Sequence, residues 1–146
     1  MLILPSSHRA AIEAFARASH PREACGVLIG TFEEAAGAPL ARVVRILPCR
    51  NVDTRRAHDR YELDPADFME ADLGARRDGL EVVGIWHSHP DHPAHPSATD
   101  LAAAWEGWSY VIACVTAVGV EDLRAWRLAG EAFAEEPIRQ EESVTP

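Results

Sequence analysis

The sequence contains no lysine: all 14 basic side chains are arginine, set against 23 acidic ones for a formal net charge of −9. A chain this short of positive charge lacks the Lys/Arg stripe that neutralises a phosphate backbone, which excludes a nucleic-acid binder. The missing lysine itself fits a coding bias toward alanine and arginine; avoidance of lysine-directed tagging is the sharper alternative. Cysteine is scarce too. Cys25, Cys49 and Cys114 form an odd set with no Cys-x-x-Cys spacing, which argues against a disulfide framework and a cysteine zinc finger. No apolar run approaches the roughly 18 residues of a membrane span. Met1-Leu2-Ile3-Leu4 is too short for a signal peptide, and His8 and Arg9 follow at once. The expectation is a cytoplasmic protein with no membrane or nucleic-acid partner.

The 146 residues, 47% hydrophobic and 25% charged, suit one globular domain, which at this length buries about 70% of its unfolded surface. Ile12, Phe15 and Ala16, with His8 and Ala11 behind them, form a helical stripe over 7–19 that His20-Pro21 ends. Cys25–Gly30 and Arg42–Leu47 read as strands, with 33–39 as the turn between them. Residues 49–60 read as a polar loop, leading to a short strand at 60–63. Asp64-Pro65 opens a second helix whose inward face is expected from Phe68, Met69, Leu73 and Leu80. Glu81–Trp86, Tyr110–Val115 and Leu123–Leu128 are further strands, and a third helix is expected from Ser97 to about Gly107. Strands and helices interleave, so the class is α/β (α+β), a single domain with a mixed sheet. We expect the domain to span 1–130. Residues 131–146, with five glutamates against Arg139, are expected as an acidic, peripheral C-terminal tail.

The chemistry concentrates in His87-Ser88-His89-Pro90, at the end of the third strong strand. In an extended chain residues i and i+2 share a face, roughly 6–7 Å apart at the backbone, so the two imidazoles can converge on one ion. Asp100, in the first turn of the following helix, can add a carboxylate. Two histidines and one carboxylate leave a fourth position for water, a catalytic rather than structural zinc set. Ser97-x-x-Asp100 is equally a capping box with no function beyond the helix. His92 and His95, between prolines, are expected to be exposed and not to bind metal. Trp86 is expected in the core, Trp105 and Trp108 in the core rather than in a groove. Cys25 is expected to pack as a small apolar residue rather than act as a nucleophile.

His87-Ser88-His89-Pro90, then Ser97-x-x-Asp100 at its spacing, together with the upstream Glu23-Ala24-Cys25-Gly26, resembles the motif of the JAMM (MPN-plus) metalloproteases in its small stand-alone prokaryotic form. Pro48, Asn51, Tyr61 and Asp64-Pro65 are similar to prokaryotic members, and the likeness covers roughly residues 5–128. It implies a mixed, mostly antiparallel sheet flanked by helices, a fold resembling that of cytidine deaminases. It further implies one Zn2+ held by His87, His89 and Asp100 with a water in the fourth position. Glu23 would hold that water and act as base, and Ser97 would hydrogen-bond the oxyanion. The implied activity is hydrolysis of a peptide or isopeptide bond at the diglycine tail of a ubiquitin-like or sulfur-carrier protein. The alternative is a zinc-containing binding module for such a partner without turnover. A deaminase would need His-x-Glu and Pro-Cys-x-x-Cys; Pro48-Cys49 is followed by Arg50-Asn51-Val52 instead, and no His-Glu-x-x-His occurs. Oligomeric state and peptide versus isopeptide preference stay open.

Overall fold

The computed structural model describes residues 1–141. Among them the order is β1 (Leu2–Ile3), α1 (Ser6–Ser19), β2 (Cys25–Ala35), β3 (Ala38–Cys49), α2 (Pro65–Arg77), β4 (Glu81–Pro90), α3 (Ala98–Ala102), β5 (Ser109–Thr116), β6 (Gly119–Ala129), β7 (Ala132–Glu136) and β8 (Ile138–Arg139). The strands form one mixed sheet in the order β7-β6-β5-β4-β2-β3-β1-β8. β2 with β3, β2 with β4, β5 with β6, and β6 with β7 run antiparallel. The β4–β5 pair and both pairings of β1 are parallel. The expected fold class holds.

Strand alternation sorts the side chains into two cores. Leu28, Val83, Trp86 and Val111 face α1, which buries Ile12 and Ala16 against them. Val27, Ile29 and Ile85 face α2 and its Ala71 and Ala75. Gly26 lets Trp86 lie across β2: a Cβ there would sit 2.1 Å from the Leu47 carbonyl oxygen and 2.5 Å from the Trp86 ring. The helix start at 64–65 is as read, with Asp64 accepting the Ala66 N–H at 3.1 Å and Pro65 in the first turn.

Several expectations are corrected. The stripe of α2 that meets the sheet is Phe68, Ala71 and Ala75, at i, i+3 and i+7, so Met69 and Leu73 point outward, 63% and 52% exposed. The expected strand at 60–63 is a single bridge, Leu63 to Asn51. The third helix stops at Ala102, because the Trp105 N–H is taken by the Tyr110 hydroxyl at 2.7 Å and Gly107 turns the chain at φ +86°. Strands β2 and β3 run on past the expected turn to Ala36-Gly37, both at positive φ.

Residues 132–139, expected as a peripheral tail, belong to the sheet. β7 pairs with β6, and beyond Pro137 the same stretch pairs with β1. The two margins of the sheet are therefore occupied by one segment of chain. Its Glu136 is buried, facing Arg127 at 3.4 Å and the Met1 ammonium at 3.2 Å. The remainder of that acidic segment, 142–146, lies outside the described residues.

Candidate metal centre and flanking groove

The site forms at the C-terminal end of β4. His87 is the Cα partner of Cys25 on β2 and shares the face of Ile85, so its ring points to the α2 side, as does that of His89 two residues on. Between them Ser88 faces the other way. Its Oγ accepts the Ala24 N–H at 2.8 Å and its N–H donates to the Ala24 carbonyl at 3.0 Å. That pair clamps the Glu23–Ala24 segment beside β4. Asn51 Nδ2 holds the same segment from the other side, donating to the Glu23 carbonyl at 3.1 Å. Asp100 comes from the first turn of α3, where Ser97 Oγ accepts the Asp100 N–H at 3.0 Å and Asp100 Oδ2 accepts the Ser97 N–H at 2.9 Å. The capping box is real, and its carboxylate still faces the histidines.

His87 Nε2 and His89 Nε2 are 3.1 Å apart. Asp100 Oδ1 lies 3.3 Å from the first and Oδ2 lies 3.2 Å from the second. A tetrahedral ion bound at 2.0–2.1 Å has donor–donor edges of about 3.3 Å. Glu23 Oε1 is set further back, 4.0 Å from His89 Nε2. A second grouping, Glu23, His87 and His89, keeps its donors within 4.8 Å of one another. The edge lengths favour His87, His89 and Asp100 as the nearest donors, with Glu23 one step outside. All four side chains are buried. The Pro93 carbonyl can only accept, so the His89 Nδ1 facing it at 2.8 Å carries a proton. Nε2 is then the nitrogen left to offer a lone pair to an ion; without one it donates to Asp100 Oδ2 at 3.2 Å. Tyr61 stacks on the His87 ring with centroids 4.4 Å apart.

The electrostatics match a cation cradle. Burial opposes charge on Asp100, but hydrogen bonds from His87 and His89 and the Ser97 N–H overcome it and hold the carboxyl well below the usual carboxylate range. Burial pushes His87 down. It also pulls on His89, yet Asp100 and the Pro93 carbonyl outweigh it and leave that ring raised. Burial raises Glu23 to about 8, the nearby His89 opposing and Asp100 adding to it, and its Oε2 has no hydrogen-bond partner. Converging acceptors with an orphaned buried carboxylate oxygen are what a bound cation and its water would satisfy.

Beside Asp100 opens a groove of about 570 Å³ lined by Tyr61, Leu63, Phe68, Trp105, Trp108 and Tyr110. Trp105, expected in the core, lines the groove instead and is 67% exposed, whereas Trp108 packs half-buried against the α2-side core as expected while also lining the groove. Trp86 is in the core as expected, and Cys25 is a buried free thiol that burial pushes up to about 12, away from any nucleophilic role. His95 packs on Trp126 at 5.2 Å and His92 lies edge-on to His89 at 6.4 Å, neither among the converging donors. Ser88 and Tyr61 entered the sequence reading only as positions of the family likeness, with no task at the site, and Pro93 only as a loop proline. Only strand parity, which sends Ser88 opposite to its two neighbours, carried a signal for one of them.

A mixed sheet presenting a buried His/His/Asp set and a retracted glutamate beside an apolar groove fits the metal site of a hydrolase. Comparison with known families makes the assignment specific: the profile of prokaryotic homologs of the JAB domain matches residues 5–129, and the chain belongs to that family. It is 36% identical over 130 residues to the CysO-cysteine peptidase of Mycobacterium tuberculosis, covering 88% of this chain and 83% of that protein. It is 31% identical over 129 residues to the desampylase of Pyrococcus furiosus, covering 88% and 81%. A solved structure from Desulfitobacterium hafniense matches with a TM-score of 0.80 at 28% identity, over 98% of this chain and 94% of that one. Among the described residues no helix is long and apolar enough to cross a membrane.

Proposed function

We propose that the protein is a zinc-dependent peptidase that cleaves the bond following the C-terminal diglycine of a ubiquitin-like or sulfur-carrier protein. The observation that carries this reading is the donor set of His87, His89 and Asp100, spaced at 3.1–3.3 Å with Glu23 at 4.0 Å. Nitrogen and carboxylate donors at tetrahedral spacing suit zinc above magnesium or calcium, which prefer oxygen cages. When bound, zinc polarises the scissile carbonyl and acidifies the attacking water. Glu23 takes the proton from that water onto its carboxylate and returns it to the departing amine. Burial raises Glu23 to about 8 with no cation present, and a bound cation would lower it toward the carboxylate form that a base working near neutrality needs. Ser97 Oγ accepts the Asp100 N–H and keeps its own proton free to donate to the oxyanion. The apolar groove running up to Asp100 suits an extended tail ahead of the diglycine.

The relatives' names, a CysO-cysteine peptidase and a desampylase, both describe cleavage, which favours an enzyme over a silent binding module. Three free cysteines fit a reducing, cytoplasmic setting. The test is incubation of a diglycine-ending carrier extended by one amino acid, with a chelator and with Glu23→Gln as controls. Chelator-sensitive release of the extension supports the reading. Tight carrier binding with no product would replace it with the binding module.

A further inference from the structure

We infer that Trp126, on β6, is a positioning residue for the metal centre, acting through the six-residue connection 91–96; the inference rests on the zinc reading above. That connection leaves β4 at His89-Pro90 and delivers the chain to Ser97 and Asp100, so its path sets the distance between the donors on the two sides of it. It has no regular structure of its own. Its start is held at Asp91, whose N–H donates to the Val115 carbonyl at 2.8 Å and whose carboxylate faces His20 Nε2 at 3.1 Å; at its middle, Trp126 Nε1 donates to the Ala94 carbonyl at 3.0 Å. The neighbouring Pro93 carbonyl is the acceptor that orients His89 Nδ1 at 2.8 Å. Ala94 itself is buried with Ile112 and Cys114, and the Trp126 ring packs against that cluster and against His95. A rigid strand thus fixes a carbonyl one residue from the one that fixes the imidazole. Releasing the indole frees the connection to shift, and with it the tautomer and aim of His89. Groups bonded directly to a ligating imidazole, as the Pro93 carbonyl is, typically change metal affinity by 10–100-fold, and Trp126, one residue removed, is expected at the lower end of that range.

The first experiment measures zinc affinity by competition with a chromophoric chelator for the unaltered protein and for Trp126→Phe, which keeps a ring and removes the N–H. Affinity weaker by about tenfold is expected. A merely structural role would lower the unfolding midpoints of the zinc-loaded and zinc-free forms alike and leave affinity unchanged, overturning the inference. The second needs no variant. By reciprocity, a contact that strengthens zinc binding tenfold is itself strengthened tenfold by zinc. Hydrogen exchange at the Trp126 indole N–H is therefore expected to slow about tenfold on zinc addition, and an unchanged rate would overturn the inference. Neither readout involves cleavage, so failure of the peptidase activity is distinguishable from failure here. Absence of zinc binding by the unaltered protein would remove the zinc reading and this one together.

Discussion

Replacing Glu23 by glutamine should move activity and stability in opposite directions. The side chain is buried beside Asp100, and its carboxyl is raised from an ordinary 4.5 to about 8, chiefly by burial. Below pH 4.5 the group is protonated in both folded and unfolded chains and contributes nothing to pH dependence. Between 4.5 and 8 the unfolded chain has released the proton while the folded one retains it, so zinc-free protein loses stability as pH rises, with a limiting slope of about 1.4 kcal/mol per pH unit. Above 8 both forms are ionised and the loss stops growing. Allowing for water penetration and relaxation, the total is about 2–4 kcal/mol. Glutamine has the same shape and no proton to lose. Urea unfolding in chelator at pH 5 and pH 8.5 should therefore show Glu23→Gln close to the unaltered protein at the lower pH and about 2–4 kcal/mol more stable at the higher. Cleavage of the extended carrier should fall by about 10²–10⁴-fold. A stability difference that does not vary between the two pH values would refute the buried-carboxyl account. Undiminished cleavage would refute the role of Glu23 as base.

Asp100→Asn keeps the side-chain oxygen that accepts the Ser97 N–H but discards the charge facing both histidines; zinc content by elemental analysis should drop sharply, with affinity weaker by about a hundredfold or more, while the circular dichroism spectrum is retained. Gly26→Ala drives a Cβ into the Leu47 carbonyl and the Trp86 ring, and thermal unfolding should reveal a loss of about 3 kcal/mol or more. Trp108→Ala opens the apolar groove; steady-state kinetics should show KM for the carrier up by about tenfold with kcat little changed. Deleting 131–146 strips β8, one of the two pairing partners of β1, and uncovers half the edge of β6, and expression should give aggregated rather than monodisperse protein by size-exclusion chromatography.

Where burial imposes a strong period, the structure was legible in advance. Ile12 and Ala16 sit under α1, Trp86 lies in the core, and β4 carries His87 and His89 to one face. Asp64-Pro65 marks the start of α2 because capping is a local event. The misreadings have non-local causes. Met69 and Leu73 share a helical stripe and look like core, but the stripe that meets Val27 and Ile29 is the neighbouring one of Phe68, Ala71 and Ala75. β1 and β8 are two residues long, too short for any alternation, and Glu136 looks like a solvent charge until Arg127 is brought to it across β6. Trp105 and Trp108 read as a helical pair because nothing near them in sequence announces that the Tyr110 hydroxyl ends the helix. Of the site, the types of donor and their spacing were legible. The orientation of each ring was not, because it depends on carbonyls such as that of Pro93.

The segment through Pro137 that spans both margins of the sheet also governs the order of assembly. Leu2 meets Ile138 and Ile3 meets Arg139, so β1 waits for nearly the whole chain before its outer edge is covered. Bringing ends so distant together costs about 4–5 kcal/mol of loop-closure entropy, and topologies dominated by such pairings fold slowly. During synthesis β4, which carries both His87 and His89, is free to pair with β2 and β5 while both margins are still open. The His87–His89 cluster can therefore assemble on an unfinished sheet, and β8, the last strand to emerge, closes the margin at β1.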